Sequence, residues 1–253
     1  MRIEIVGHDE AHHGSQFLIS YLCDQRVAID AGGIGELAPL SRQFQIEDVF
    51  LTHAHLDHTA TLPVFLDNVF NPGPECVRLH GLRATLQVLQ QDMFNNRLWP
   101  DFIALSTPQN RFLETHELEP ERAVTAGHLK LTPVLLRHVI PTVGYLVSDE
   151  RSTVAFISDT LPTDRIWELA RACPNLKAVF LEVSFPNAMT WLAEAAAHLT
   201  PDTFRTELAK LGRDVPVVAI HLKPRFRSEL EREIHALQLP QIQIGRAGQV
   251  FEF

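Results

Sequence analysis

Asp48-Val-Phe-Leu-Thr-His-Ala-His-Leu-Asp-His58 is the stretch on which the fold turns. Its first five residues form a short apolar run that predicts a buried strand. That strand runs directly into four ligand-type side chains: His53, His55, Asp57 and His58. Side chains at i and i+2 of a strand share a face, so His53 and His55 can hold one ion together. Asp57 and His58, in the turn that follows, can face a second. Imidazole and carboxylate suit zinc, manganese or iron rather than calcium.

Outward from this motif the chain alternates strand-length apolar runs with amphipathic helical stretches, an α/β pattern. Residues 1–6, 17–23 and 26–30 read as strands, the last followed by the turn Asp30-Ala-Gly-Gly33. Helical spacing over residues 82–96 puts Leu82, Leu86, Leu89 and Met93 on one face. Val134–Leu136, Tyr145–Val147, Val154–Ser158, Ala178–Leu181 and Val215–Ile220 read as strands. Thr163 or Asp164 can cap a helix to about Cys173, Thr200-Pro-Asp202 opens another that Gly212 closes, and Ser228 starts a last one to about Leu239. No linker rich in Gly, Ser or Pro divides the chain, so residues 1–253 read as one domain in two halves.

Three later positions repeat the design of the motif, with a ligand-type residue at or just past a strand end. His138 follows Val134–Arg137, Asp159 follows Val154–Ser158, and His221 follows Val217–Ile220. In α/β architectures the carboxyl ends of strands converge on the site. One such histidine would read as a hydrogen-bonded structural residue, but several strand ends in one chain read as a ligand set.

Bulk properties narrow the partners. The formal charge of −9 and the lack of a basic stripe argue against a grip on long nucleic acid. No apolar run is long enough to span a bilayer, and the N-terminus lacks a signal-peptide pattern. Cys23, Cys76 and Cys173 are widely spaced and odd in number, which fits a reducing, cytoplasmic setting. The sequence leaves the oligomeric state open, a homodimer included. His8, His12 and His13 read as a loop able to border the site, His80 as a strand end, and His116, His128 and His235 as surface or turn residues.

The order of the His-x-His-x-Asp-His motif, the later His, the Asp after a strand and the final His resembles the metallo-β-lactamase superfamily. The resemblance spans essentially the whole chain and implies a four-layer αββα sandwich with the site along one edge. It implies that His53, His55 and His138 hold one ion, that Asp57, His58 and His221 hold the other, and that Asp159 bridges them. Aspartate rather than cysteine at the bridging position resembles the phosphodiesterase branch. A narrower likeness, to class II 3′,5′-cyclic nucleotide phosphodiesterases, lies in Met93–Phe102, in the His-Leu-Asp-His form of the motif, in Glu182-Val-Ser-Phe-Pro-Asn187 and in His198-Leu-Thr-Pro201. The chain departs from that family at Thr59-Ala-Thr-Leu-Pro-Val64, where a glycine and a small polar stretch are usual.

The resemblance thus implies two divalent ions, zinc with manganese or iron as alternatives, and a small anionic phosphodiester substrate. Two ions carry four positive charges, and Asp57, Asp159 and a bridging hydroxide remove three. A centre near +1 suits a phosphodiester monoanion, with the hydroxide as attacking group. His198 is the candidate acid for the leaving ribose 3′-oxygen, and Glu182 can orient it. Phe94 reads as core packing, while Trp99 and Asn96 are candidates for base contact.

A transfer-RNA 3′-processing nuclease of the ribonuclease Z type is the nearest rival. Only about twenty residues separate His138 from Asp159, too few for its RNA-gripping arm. A lactonase or thioester hydrolase on the same scaffold, and a non-enzymatic binding protein, are the others.

Overall fold

Val27-Ala-Ile29 and Asp48-Val-Phe50 are too short for a helix and bury every residue, so they pair as strands inside a sheet. The computed structural model describes residues 1–7 and 18–253. The expected strand residue Phe17 and the loop histidines His8, His12 and His13 lie outside the described residues.

The strands are β1 Arg2–Ile5, β2 Tyr21–Cys23, β3 Val27–Ile29, β4 Asp48–Phe50, β5 Val77–Gly81, β6 Leu113–Glu117, β7 Val124–Ala126, β8 Leu129–Leu136, β9 Thr142–Ser148, β10 Thr153–Ile157, β11 Leu176–Glu182, β12 Val217–Ile220, β13 Ile242–Ile244 and β14 Val250–Glu252. The α-helices are α1 Leu56–Thr59, α2 Leu62–Val69, α3 Arg83–Val88, α4 Phe102–Leu105, α5 Arg165–Ala172, α6 Thr190–Ala196, α7 Pro201–Ala209 and α8 Arg227–Ala236. Two compact units result, one built mainly from Leu18–Glu119 and the other from Pro120–Ala247.

The first unit holds a seven-stranded mixed sheet in the order β14-β1-β2-β3-β4-β5-β6. Strands β3 to β6 are parallel, with Ile29 opposite Phe50 and Phe50 opposite His80. The residues just past β3 and β4 therefore emerge at one edge. Helix α2 supplies the cover: Leu62, Phe65 and Leu66 are fully buried in one cluster with Ala28, Val49, Leu51 and Leu79. Burying Phe65 alone is worth about 2–3 kcal/mol. Beyond α3 the helical face continues through Leu89 and Met93, but as a π-turn in which Phe94 N bonds Leu89 O at 2.8 Å.

The second unit holds another seven-stranded sheet, β13-β12-β11-β10-β9-β8-β7. Strands β10 to β13 are parallel, with Ile157 opposite Leu181 and Glu182 opposite Ile220. Strand β8 is antiparallel to β9, which is antiparallel to β10, so the ends of β8, β10, β11 and β12 share one edge. Trp167 of α5, Phe204 of α7 and Leu230 of α8 are buried against Val179, Leu181 and Ala219. The Trp167 indole nitrogen donates to buried Glu207 at 2.8 Å. Thr200 caps α7 through a capping box with Thr203, as the sequence predicts.

Several expected ends move. Gly212 takes φ +66° but three residues past the end of α7, after an intervening turn. The strand at 134–136 is the end of the longer β8, and the last helix is Arg227–Ala236 rather than Ser228 to Leu239.

Candidate metal centre

In the first unit, the motif is seated by the turn after β3. Asp30, at φ 60°, is wholly buried. Its carboxylate accepts from Thr52 N at 2.8 Å and from Thr52 Oγ1, and lies 2.7 Å from His58 Nδ1. Burial pushes the Asp30 carboxyl above its usual range, and His58 and Thr52 pull it back. Gly32 makes room for the arrangement: a Cβ there would meet the Asp57 carbonyl oxygen at 2.1 Å. Ile19 N donates to that same oxygen at 2.7 Å.

These bonds select which ring nitrogen each histidine could offer a metal. Asp30 accepts from His58 Nδ1–H, so that ring presents Nε2. The single hydroxyl hydrogen of Thr52 goes to Asp30, so Thr52 Oγ1 accepts from His53 Nδ1, 2.9 Å away, and His53 presents Nε2. His53 Nε2 and His55 Nδ1 then stand 3.0 Å apart. Two zinc–nitrogen bonds of tetrahedral geometry put their nitrogens about 3.3 Å apart, so the pair has the spacing of two ligands on one ion. Asp57 and His58 lie in α1, directly after this pair.

The second unit carries the strand-end residues. Asp159, just past β10, is buried and turns its two oxygens to different histidines. Oδ1 lies 3.4 Å from His221 Nε2, and Oδ2 lies 4.0 Å from His138 Nε2 and 3.9 Å from His198 Nε2. Asp159, His198 and His221 together could hold an ion. His138 Nδ1 donates to Ala197 O at 3.0 Å. His221, at φ 61°, follows β12 in the left-handed region, a costly conformation kept at functional positions. Ser184 gives its one hydrogen to Glu182 Oε2 at 2.9 Å and accepts from His221 Nδ1 at 2.8 Å. His138 and His221 are thus both held through Nδ1, with Nε2 toward Asp159.

Glu182 is wholly buried at the end of β11. Its Oε1 accepts from Thr160 N and Leu199 N and lies 3.0 Å from His198 Nδ1. Burial would lower the pKa of His198, but the charge and hydrogen bond of Glu182, then Asp159, outweigh it and raise it above the ordinary value. The pair is therefore a histidine held by a carboxylate beside Asp159.

Trp99 and Asn96 sit in one turn of the first unit. Asn96, at φ 59°, accepts from Asp101 N through its side chain and donates through its backbone to Trp99 O. Trp99 packs on the first core beside fully buried Phe94. Three residues that sequence reasoning passed over, Asp30, Thr52 and Ser184, orient candidate ligand histidines. The signal for Asp30 was present as a polar residue between a strand end and two glycines.

A family model described as a β-lactamase superfamily domain matches residues 26–222. A probable 3′,5′-cyclic-nucleotide phosphodiesterase of Yersinia pestis is 28% identical over 239 residues, covering 82% of this chain and 67% of that protein. The 3′,5′-cyclic-nucleotide phosphodiesterase 1 of Saccharomyces cerevisiae is 34% identical over 192 residues, 66% of this chain and 51% of that protein. The chain thus spans between half and two thirds of the length of these relatives. A ribonuclease Z of Prochlorococcus marinus is 30% identical over 109 residues, 42% of this chain and 33% of that protein. Among solved structures, unliganded yeast PDE1 matches with a TM-score of 0.80 at 19% identity, over 100% of this chain and 99% of that one. With two mixed sheets, helices on each, and candidate ligand residues at strand ends, the chain belongs to the β-lactamase superfamily and has the metallo-β-lactamase fold.

Proposed function

We propose that the chain is a metal-dependent phosphodiesterase that opens 3′,5′-cyclic nucleotides to nucleoside 5′-monophosphates. The observation that carries this reading is the Glu182–His198 pair, a histidine held by a buried carboxylate next to Asp159. The names of the relatives at 28% and 34% identity support the substrate class.

The donor set fits two divalent ions, zinc first and manganese or iron as alternatives. His53, His55 and His138 would hold one and Asp57, His58 and His221 the other, with Asp159 shared. When bound, the ions supply an ionised water at neutral pH and neutralise the phosphoryl oxygens. His198 Nε2 gives a proton to the leaving 3′-oxygen, and Glu182 orients the ring and favours its charged form. Asn96 and Trp99 remain candidates for base contact. Among the described residues no helix is long and apolar enough to cross a membrane, and the cysteines are free thiols. Both fit a cytoplasmic enzyme of small anionic diesters, as a monomer or a homodimer.

Similarity to a ribonuclease Z supports a second reading, cleavage of precursor transfer RNA. The short span between His138 and Asp159 speaks against it. Kinetics on 3′,5′- and 2′,3′-cyclic nucleotides and precursor transfer RNA, with metal content measured, separates the two. Metal-loaded protein without 3′,5′-cyclic turnover would refute the leading reading. Chelation should abolish turnover, and zinc or manganese should restore it.

A further inference from the structure

A cavity of about 160 Å³ opens beside His198, walled by Ala193, Leu161 and Pro162 and rimmed by Arg137, Thr190, Glu194 and Thr203. All of these residues lie in the second unit. Ligand pockets for whole drug-sized molecules run from about 300 Å³ upward, so this one takes a single ring. The last turn of α6 ties the cavity to the acid: His198 N donates to Ala193 O at 2.8 Å. The wall and the imidazole are therefore one piece of structure.

The polar groups on the rim are not equivalent. Thr190 and Thr203 spend their hydroxyl hydrogens on backbone carbonyls, at 2.8 and 3.0 Å. Arg137 donates from Nη1 to Pro162 O at 2.9 Å. Glu194, exposed on α6, is the one carboxylate among the residues that line the cavity, and so the strongest acceptor there for a hydroxyl. The ring that carries both ester oxygens of a 3′,5′-cyclic phosphate is a ribose. Its 2′-hydroxyl is next to the leaving 3′-oxygen.

We infer that this cavity is the sugar subsite, that it seats the ribose of a 3′,5′-cyclic nucleotide, and that Glu194 accepts a hydrogen bond from the 2′-hydroxyl. This rests on the phosphodiesterase reading and adds ribose discrimination to it. A site built to bond a hydroxyl rejects the analogue that lacks it, because its polar group is left unpaired.

The test compares kcat/KM for a 3′,5′-cyclic ribonucleotide and its 2′-deoxy counterpart, using the metal-loaded protein and its Glu194→Ala and Ala193→Leu variants, with melting curves to establish folding. The wild type should favour the ribonucleotide at least tenfold. Glu194→Ala should bring the ratio to within threefold of one, through loss on the ribonucleotide alone. Ala193→Leu, which fills the cavity, should raise KM for both substrates at least fivefold. A wild-type ratio near one, or a ratio unchanged in folded Glu194→Ala, overturns the subsite while leaving the phosphodiesterase reading standing. Wild-type protein that cleaves bis(4-nitrophenyl) phosphate but neither cyclic nucleotide overturns both.

Discussion

Replacing Asp30 by asparagine isolates what a buried carboxylate does for a ligand it never shares. The change is nearly isosteric. An amide oxygen can still accept from Thr52 N, 2.8 Å away. The amide nitrogen, however, would then face His58 Nδ1, which lies 2.7 Å from the native carboxylate. Two donors cannot share that position, so His58 must switch its proton to Nε2 and lose the lone pair a metal needs. Losing such a partner typically costs ten- to a hundredfold in metal affinity, about 1.4–2.8 kcal/mol. Asp30→Ala should do something different: it strands Thr52 N–H and His58 Nδ1–H in a dry interior, at roughly 1–3 kcal/mol for each orphaned donor. Metal content after dialysis against graded chelator, paired with urea unfolding of metal-free protein, tells the two apart. Asp30→Asn should lose metal and keep most of its metal-free stability, whereas Asp30→Ala should lose both. Metal affinity within twofold of wild type in Asp30→Asn would refute the tautomer argument.

Other outcomes follow from the same geometry. His198→Ala should keep the metal content and lower the maximal rate by roughly two orders of magnitude or more; a retained rate removes His198 as the acid. Ala197 occupies the left-handed region at φ 57° after α6, so Ala197→Gly should stabilise the fold by about 0.5–1 kcal/mol, seen as a higher urea midpoint. Buried Asp48 is pushed up by burial but pulled below its usual range by hydrogen bonds from His80 and Arg78. Its contribution is therefore present above the unfolded value, near pH 4, and is lost as pH falls below it. The difference in urea midpoint between wild type and Asp48→Asn should accordingly be constant above about pH 5 and shrink toward pH 3.

The parts legible in the sequence were those where local pattern and tertiary role agree. Asp48–Phe50 is buried on both faces and read as a strand at once, and the candidate ligands at 138, 159 and 221 were legible as positions because strand ends are easy to locate. Strands β6, β7, β13 and β14 were not found. Leu113-Glu-Thr-His-Glu117 has a single fully buried residue, and β7 and β13 are three residues long at the outer ends of their sheet, where pairing rather than hydrophobicity makes the strand. Asp30 and Ser184 were missed for another reason. Their role lies in bonds to residues 28 and 37 positions away, His58 and His221, which no local spacing encodes. His116, expected at the surface, is half-buried and stacked 4.9 Å from His80 because its strand lies beside β5.

The pairing of Arg2 with Glu252 has a consequence for how the protein is made. The first sheet needs β14, and β14 follows the whole second unit in the sequence. A ribosome therefore finishes Pro120–Ala247 before β1 has its outer neighbour. Throughout that interval β1 presents an open edge carrying buried-type residues Ile3 and Ile5 to whatever strand is near, including another nascent copy. Glu4, between them on the opposite face, and Arg2 at the start of the strand are the charges on that edge strand able to discourage a wrong partner.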